Sequence, residues 1–247
     1  MLMGTLIGMN ASLIVFQIIL LILLALSNIS PIRLSGWTFT KDGLNRNKTP
    51  MPYNEVLPVS PELRTDQGSV ELCLQTADQR VIVSTCNLPA VEPLWQSPSD
   101  WEVEQAFFSD LNLDNARELA LLVWRPFEPW PVDRFLPSGG RINSFHDKDD
   151  RSCHLILVNI EDESFRELWA GSALAAPIHS LVAADLDGDG RQELAAVEYS
   201  YNDKKRTGSL VVWRWNGFGF SLAARQAGAF SYLLATQSGK NVLLLAQ

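Results

Sequence analysis

An acidic nonapeptide bracketed by apolar runs occurs twice in this chain, the two copies aligning at an offset of 75 residues without a gap. The fuller copy is Asp185-Leu186-Asp187-Gly188-Asp189-Gly190-Arg191-Gln192-Glu193, between Leu181–Ala184 and Leu194–Val197. Three aspartates at alternate positions of a tight turn aim their carboxylates at one place. Such a cluster repels itself unless a hard cation sits in it, and an oxygen-only donor set of this kind suits Ca²⁺. Gly188 and Gly190 supply the positive φ that the sharp turn requires. The second copy, Asp110-Leu111-Asn112-Leu113-Asp114-Asn115-Ala116-Arg117-Glu118, keeps acidic or amide residues at positions 1, 3 and 5 and Glu at position 9.

Other segments also recur, the first at an offset of 74 residues. Leu94-Trp95-Gln96-Ser97 resembles Leu168-Trp169-Ala170-Gly171, and Phe230–Ala235 resembles His179–Ala184. After Phe230–Ala235 the turn has decayed to Thr236–Asn241, which lacks metal-binding carboxylates. From Gly68 onward, short apolar segments (Val70–Gln75, Val81–Thr85, Val91–Trp95, Val103–Phe108, Leu119–Trp124) alternate with turn residues and show no 3.6-residue period. That spacing, with β-branched and aromatic enrichment, predicts an all-β chain. In the best unit the strands fall at Leu181–Ala184, Leu194–Ser200, Ser209–Trp215 and Phe218–Ala223. Tandem four-stranded antiparallel units are the signature of propeller blades. The expected fold is a partial or small β-propeller over residues 69–247, with units at about 69–97, 101–171, 177–226 and 228–247. Arg125–Arg151, rich in Pro, Gly and charge, reads as a surface loop.

Upstream, Leu13–Leu26 is apolar except for Gln17, and Ala25-Leu26-Ser27 offers small residues for cleavage before Asn28. Residues 1–27 are therefore expected to form a hydrophobic helix acting as signal peptide or membrane anchor, with an extracytoplasmic body behind it. Residues 28–68, with prolines at 31, 50, 52, 58 and 61, read as a linker. Cys73 and Cys86 lie on two runs joined by a hairpin at Thr76–Arg80, so an oxidising compartment would allow them to pair; buried free thiols are the alternative. No cysteine has zinc-ligand spacing. Residues 101–200 carry 19 acidic against 8 basic side chains, which argues against a nucleic-acid surface.

The Asp185–Glu193 stretch resembles an FG-GAP or VCBS-type repeat, the blade unit of integrin α-subunit-like propellers and of many bacterial exported proteins. The resemblance implies a Ca²⁺ held by Asp185, Asp187 and Asp189, by the backbone carbonyl of Arg191, and by Glu193, which stands where that family more often has Asp. It extends less closely to Asp110, Asn112, Asp114, Ala116 and Glu118, where Asn112 replaces a carboxylate and Asn115 a glycine, implying a weaker second site. Family propellers usually have seven blades, whereas this chain offers two full and two partial ones and stops inside the apolar run Val242–Ala246. The chain is then a fragment, or its last strands pair with its first partial blade, or an open edge strand pairs with another copy.

The expected role is a non-enzymatic, exported or membrane-tethered Ca²⁺-binding interaction module of unnamed protein or carbohydrate partner. One alternative is a carbohydrate-active enzyme or its accessory domain, since Ca²⁺-loop propellers also occur in polysaccharide lyases. Another is a dockerin-like anchor, which needs a helix after the loop. An EF-hand needs a bidentate Glu at position 12 of its loop, and that position here is Ala196. Aspartates in a merely solvated turn are the plainest alternative. No G-x-S-x-G, H-E-x-x-H or P-loop motif is present, and His146, His154 and His179 fit no catalytic spacing.

Overall fold

Apolar patterning, alternating in some segments and continuous in others, gives sixteen strands among the described residues, and they pair in groups of four. The computed structural model describes residues 34–47, 62–64, 71–86, 93–128, 144–161, 164–238 and 241–247. These belong to a unit spanning Leu34–Gln247, and no helix occurs among them. The hydrophobic helix, signal or anchor expected over residues 1–27 lies outside the described residues.

Sheet 1 runs β3 (Glu62–Arg64), β4 (Glu71–Ala77), β5 (Arg80–Thr85), β6 (Trp95–Gln96). Sheet 2 runs β7 (Glu102–Ser109), β8 (Glu118–Pro126), β9 (Arg151–Glu161), β10 (Ser164–Ala170). Sheet 3 runs β11 (Ile178–Ala184), β12 (Glu193–Glu198), β13 (Gly208–Trp215), β14 (Phe220–Phe230). In these three sheets the strands follow chain order, and all neighbours are antiparallel.

Sheet 4 is built from both ends of the described chain, in the order β15 (Leu233–Ser238), β16 (Asn241–Ala246), β1 (Ser35–Thr40), β2 (Gly43–Arg46). This corrects two expectations. Residues 28–68 are not a plain linker, because β1, β2 and β3 form within them. The Trp37/Phe39 alternation on β1 supplies a buried face that a solvated linker would not need. The last apolar run is not an open edge either. β16 pairs with β15 on one side and with β1 on the other, through Ser35↔Ala246, Gly36↔Leu245 and Trp37↔Leu244. The final strands thus pair with an N-terminal hairpin, not with residues 69–97.

Three apolar cores join the sheets. Leu72, Val81 and Val83 of sheet 1 meet Leu119, Leu121, Val123, Ile156 and Val158 of sheet 2. The opposite face of sheet 2, with Ala120, Leu122, Cys153, Leu155 and Leu157, meets Ile178, Leu194, Ala196 and Val211 of sheet 3. The other face of sheet 3, with Ala195, Val197, Leu210 and Val212, meets Trp37, Phe39, Leu233, Leu244 and Ala246 of sheet 4. Burial on both faces explains why β8 reads Leu119-Ala120-Leu121-Leu122-Val123 without alternation, every residue fully buried.

The first strands of sheets 2 and 3 are tied by one amide. Gln105 Nε2 donates to the Leu181 carbonyl at 2.7 Å, and the Leu181 N–H donates to Gln105 Oε1 at 2.8 Å. The side chain thereby satisfies backbone groups that β11 cannot pair where its register shifts, beside Ser180 at φ 54°.

Trp213 and Trp215 pack against the core shared by sheets 2 and 3, and Trp215 meets Trp169 edge-on at 5.8 Å. They are packing residues, as their shared strand face suggests. Cys73 and Cys86 form a disulfide across β4 and β5, with Cα atoms 5.0 Å apart.

Candidate metal centre

Both acidic nonapeptides connect the first and second strands of their sheets, at β7–β8 and β11–β12. No helix flanks either one, contrary to what a dockerin or an EF-hand requires. Closely similar hydrogen bonds shape both, although position 1 accepts from positions 5 and 6 in the first turn and from positions 4 and 6 in the second. In the first turn Asp110 accepts the backbone N–H groups of Asp114 at 3.1 Å and Asn115 at 3.1 Å. In the second, Asp185 accepts those of Gly188 at 2.8 Å and Gly190 at 3.0 Å. Position 5 then accepts the N–H of position 7: Asp114 from Ala116 at 2.8 Å, Asp189 from Arg191 at 2.9 Å.

Positions 4 and 6 of both turns are left-handed. Gly188 and Gly190 have φ of 80° and 87°, and Leu113 and Asn115 hold 66° and 70° in their places. The left-handed backbone at positions 4 and 6 is the conformation that Gly188 and Gly190 are expected to supply. The first turn meets that requirement with side chains present.

Position 9 is the buried anchor of each turn. Glu118 Oε2 accepts the Leu111 N–H at 3.2 Å, and Glu193 Oε2 accepts the Leu186 N–H at 2.9 Å. Glu118 is fully buried and Glu193 is 1% exposed. Burial, reinforced by the charge of Asp114, pushes the Glu118 carboxyl up to about 7. Burial also raises Glu193, but the Leu186 N–H and Arg214 oppose the shift.

Carboxylates converge in both turns. Oxygens of Asp110, Asp114 and Glu118 lie within 4.8 Å of one another, as do those of Asp185, Asp187 and Glu193. Each group can hold a metal ion, and an oxygen-only donor set fits a hard divalent cation. Of the residues expected to form the fuller site, Asp189 is exposed and stands outside this convergent group, and the Arg191 side chain is exposed. The turns are neighbours: the Ser109 hydroxyl hydrogen-bonds Gln192 Oε1.

Sequence reasoning missed Arg214. On β13, one residue past the pair Leu194↔Trp213, it reaches back over the second turn. Its Nε donates to Glu193 Oε1 at 2.9 Å, and its Nη2 pairs with Asp187 Oδ2. Its guanidinium carbon lies 5.0 Å from the centre of the Phe39 ring of β1. The available signal was register: once the units are aligned as four-stranded sheets, the position on the third strand opposite Glu193 becomes a site position.

A second polar cluster joins sheets 2 and 3. Arg206 pairs with Glu104 and lies 5.2 Å from the Tyr199 ring centre; His179 Nε2 meets the Arg206 carbonyl at 2.7 Å; Trp124 Nε1 donates to Glu104 at 3.0 Å. These groups serve mainly one another. No protein-family model matches this chain, and no curated protein matches it.

Proposed function

We propose that the chain is a small four-bladed propeller of the FG-GAP-like type, with no enzymatic activity, exported or membrane-tethered, and that it binds Ca²⁺ at an acidic turn and presents its loops to a protein or carbohydrate partner. The observation that carries this reading is the pair of acidic turns. They share the hydrogen bonds from positions 6 to 1, 7 to 5 and 2 to 9, a left-handed backbone at positions 4 and 6, and a buried glutamate, and each converges three carboxylates. A merely solvated turn has no use for a buried carboxylate.

Closure into a ring is part of the proposal. Sheet 4 uses both ends of the described residues, and Leu243 and Leu245, on the β16 face turned away from the sheet 3 core, are 1% and 4% exposed. Burial of that face is what a fourth blade packed on both sides requires. The disulfide supports an extracytoplasmic location, where oxidising conditions keep such bonds. A cation that binds only the folded chain stabilises it by about 2.7 kcal/mol at a hundredfold excess over its dissociation constant. The test is calorimetric unfolding of the chelator-stripped chain with and without Ca²⁺. A melting temperature indifferent to Ca²⁺ would sink the structural-ion role.

A further inference from the structure

We infer that the two acidic turns have divided their labour: the Asp110–Glu118 turn takes the divalent cation, while in the Asp185–Glu193 turn the guanidinium of Arg214 serves as a built-in cation. This rests on reading the turns as cation sites, and it reverses the ranking that the consensus pattern alone suggests.

In the second turn the carboxylates are already matched. Both oxygens of Glu193 are taken, one by the Leu186 N–H and one by Arg214 Nε. Asp187 pairs with the other arm of the same guanidinium. Both oxygens of Asp185 accept backbone N–H groups, as do both oxygens of Asp110 in the first turn, so it is the arginine that sets the two turns apart. A planar fork with fixed donors suits two carboxylates side by side, and Phe39 backs it from sheet 4. A divalent ion entering here must first displace an arginine held on three sides.

The first turn has no such group. No Lys or Arg among the described residues pairs with Asp110, Asp114 or Glu118. The residue in the Arg214 position, one past the pair Leu119↔Val158, is Asn159, and its amide donates away from the turn to Glu161 at 3.1 Å. One oxygen is left over: Glu118 Oε1 is buried and has no hydrogen-bond partner, on a side chain with no exposure. One carboxylate oxygen each from Asp110, Asp114 and Glu118 lie within 4.8 Å of one another, close enough to share one cation.

The experiment counts ions. Ca²⁺ binding to the chelator-stripped full chain, solubilised in detergent, is measured by calorimetry and equilibrium dialysis. One ion per chain is expected. Glu118→Gln abolishes it, as does Asp114→Asn, whose exposed position spares the fold. Asn159→Arg, which removes no ligand and installs the missing guanidinium, weakens binding at least tenfold. Arg214→Met raises the count from one to two.

Two ions on the unaltered chain, or a single ion insensitive to Glu118→Gln and Asp114→Asn, overturns the division of labour but keeps the turns as cation sites. No ion on the unaltered chain but one on Arg214→Met overturns the assignment to the first turn alone. No ion on any variant removes both readings together.

Discussion

Arg214 and Glu193 form a 2.9 Å ion pair across β12 and β13, with the glutamate 1% exposed and the arginine side chain 38% exposed. Removing the arginine leaves a buried carboxylate without its counter-charge. Breaking a buried pair costs 3–5 kcal/mol in general, and the exposure of Arg214 reduces that here. Arg214→Met should therefore lose about 2 kcal/mol in urea unfolding without divalent ions, and millimolar Ca²⁺ should restore most of it. Arg214→Lys should recover only part, because an ammonium cannot bridge Asp187 and Glu193 as a fork. Equal stability of all three proteins would show that the pair contributes nothing.

Gly188 and Gly190, like Gly43 and Gly217, have both a positive φ and open space: an added Cβ would find no atom within 4 Å at any of them. The cost of Gly188→Ala or Gly190→Ala is then backbone strain alone, about 1 kcal/mol each. Asn115 already holds the left-handed conformation at φ 70°, and it is exposed. Asn115→Gly should change stability by less than about 0.5 kcal/mol, since asparagine tolerates this region. A chemical denaturation series over the three variants checks the contrast. A loss at Asn115→Gly as large as at the glycines would mean that its side chain holds the turn.

His154 is buried on β9. Its Nδ1–H donates to the Gly171 carbonyl at 2.9 Å, so Nε2 is the acceptor and takes the Ser152 hydroxyl proton at 2.7 Å. Burial holds its pKa at about 4, below the ordinary 6.5. Between those two values the unfolded chain binds a proton that the folded chain refuses, so stability falls as pH drops from 6.5 towards 4, by up to roughly 3 kcal/mol. Glu118, raised by burial, works in the opposite sense in the metal-free protein. The informative quantity is therefore the difference between the unaltered chain and His154→Gln across pH 4–7. That difference should shrink steadily on acidification. A constant difference would place the proton elsewhere.

The Cys73–Cys86 disulfide closes a hairpin with a sequence separation of 13. A loop of that size gives stabilisation on the order of 2–3 kcal/mol in the chain-entropy account. Cys73→Ser with Cys86→Ser should lower the denaturation midpoint accordingly, and reductant should do the same to the unaltered chain and nothing further to the double variant. Cys153, buried and with its thiol pushed up to about 12, should stay unreactive until the chain unfolds.

The strand units of sheets 2 and 3 were legible because a repeat compares the chain with itself: Asp110–Glu118 against Asp185–Glu193 marks the same turn twice. The continuous apolar runs of β8 and β12 hid their alternation but still marked strands buried on both faces. What the sequence concealed was non-local. β1 and β2 lie in a polar, proline-bearing region, and only the pairing of Trp37 with Leu244 gives Trp37 and Phe39 a core to enter. Arg214 escaped for the same reason. Its partner Glu193 is 21 residues away, reached by register between strands and not by any local motif. Leu113 concealed a positive φ because leucine carries no turn signal.

Sheet 4 makes the sharpest claim about the whole chain, since two of its strands come from the stretch that reads as a linker. Trp37 is 7% exposed, meets Phe230 edge-on at 5.7 Å, and shares a core with Leu244, which is fully buried on β16. Trp37→Ala should cost about 3 kcal/mol, the range for a buried tryptophan, and Leu244→Ala about the same. Because the two residues share one core, their losses should not add, and the double variant should fall short of the sum by at least 0.5 kcal/mol. Hydrogen exchange supplies the direct reading: Trp37→Ala should speed exchange of the β16 amides well before those of β8. If Trp37→Ala leaves stability and β16 protection unchanged, the N-terminal hairpin does not complete the sheet, and the last strand must find its second neighbour in another molecule.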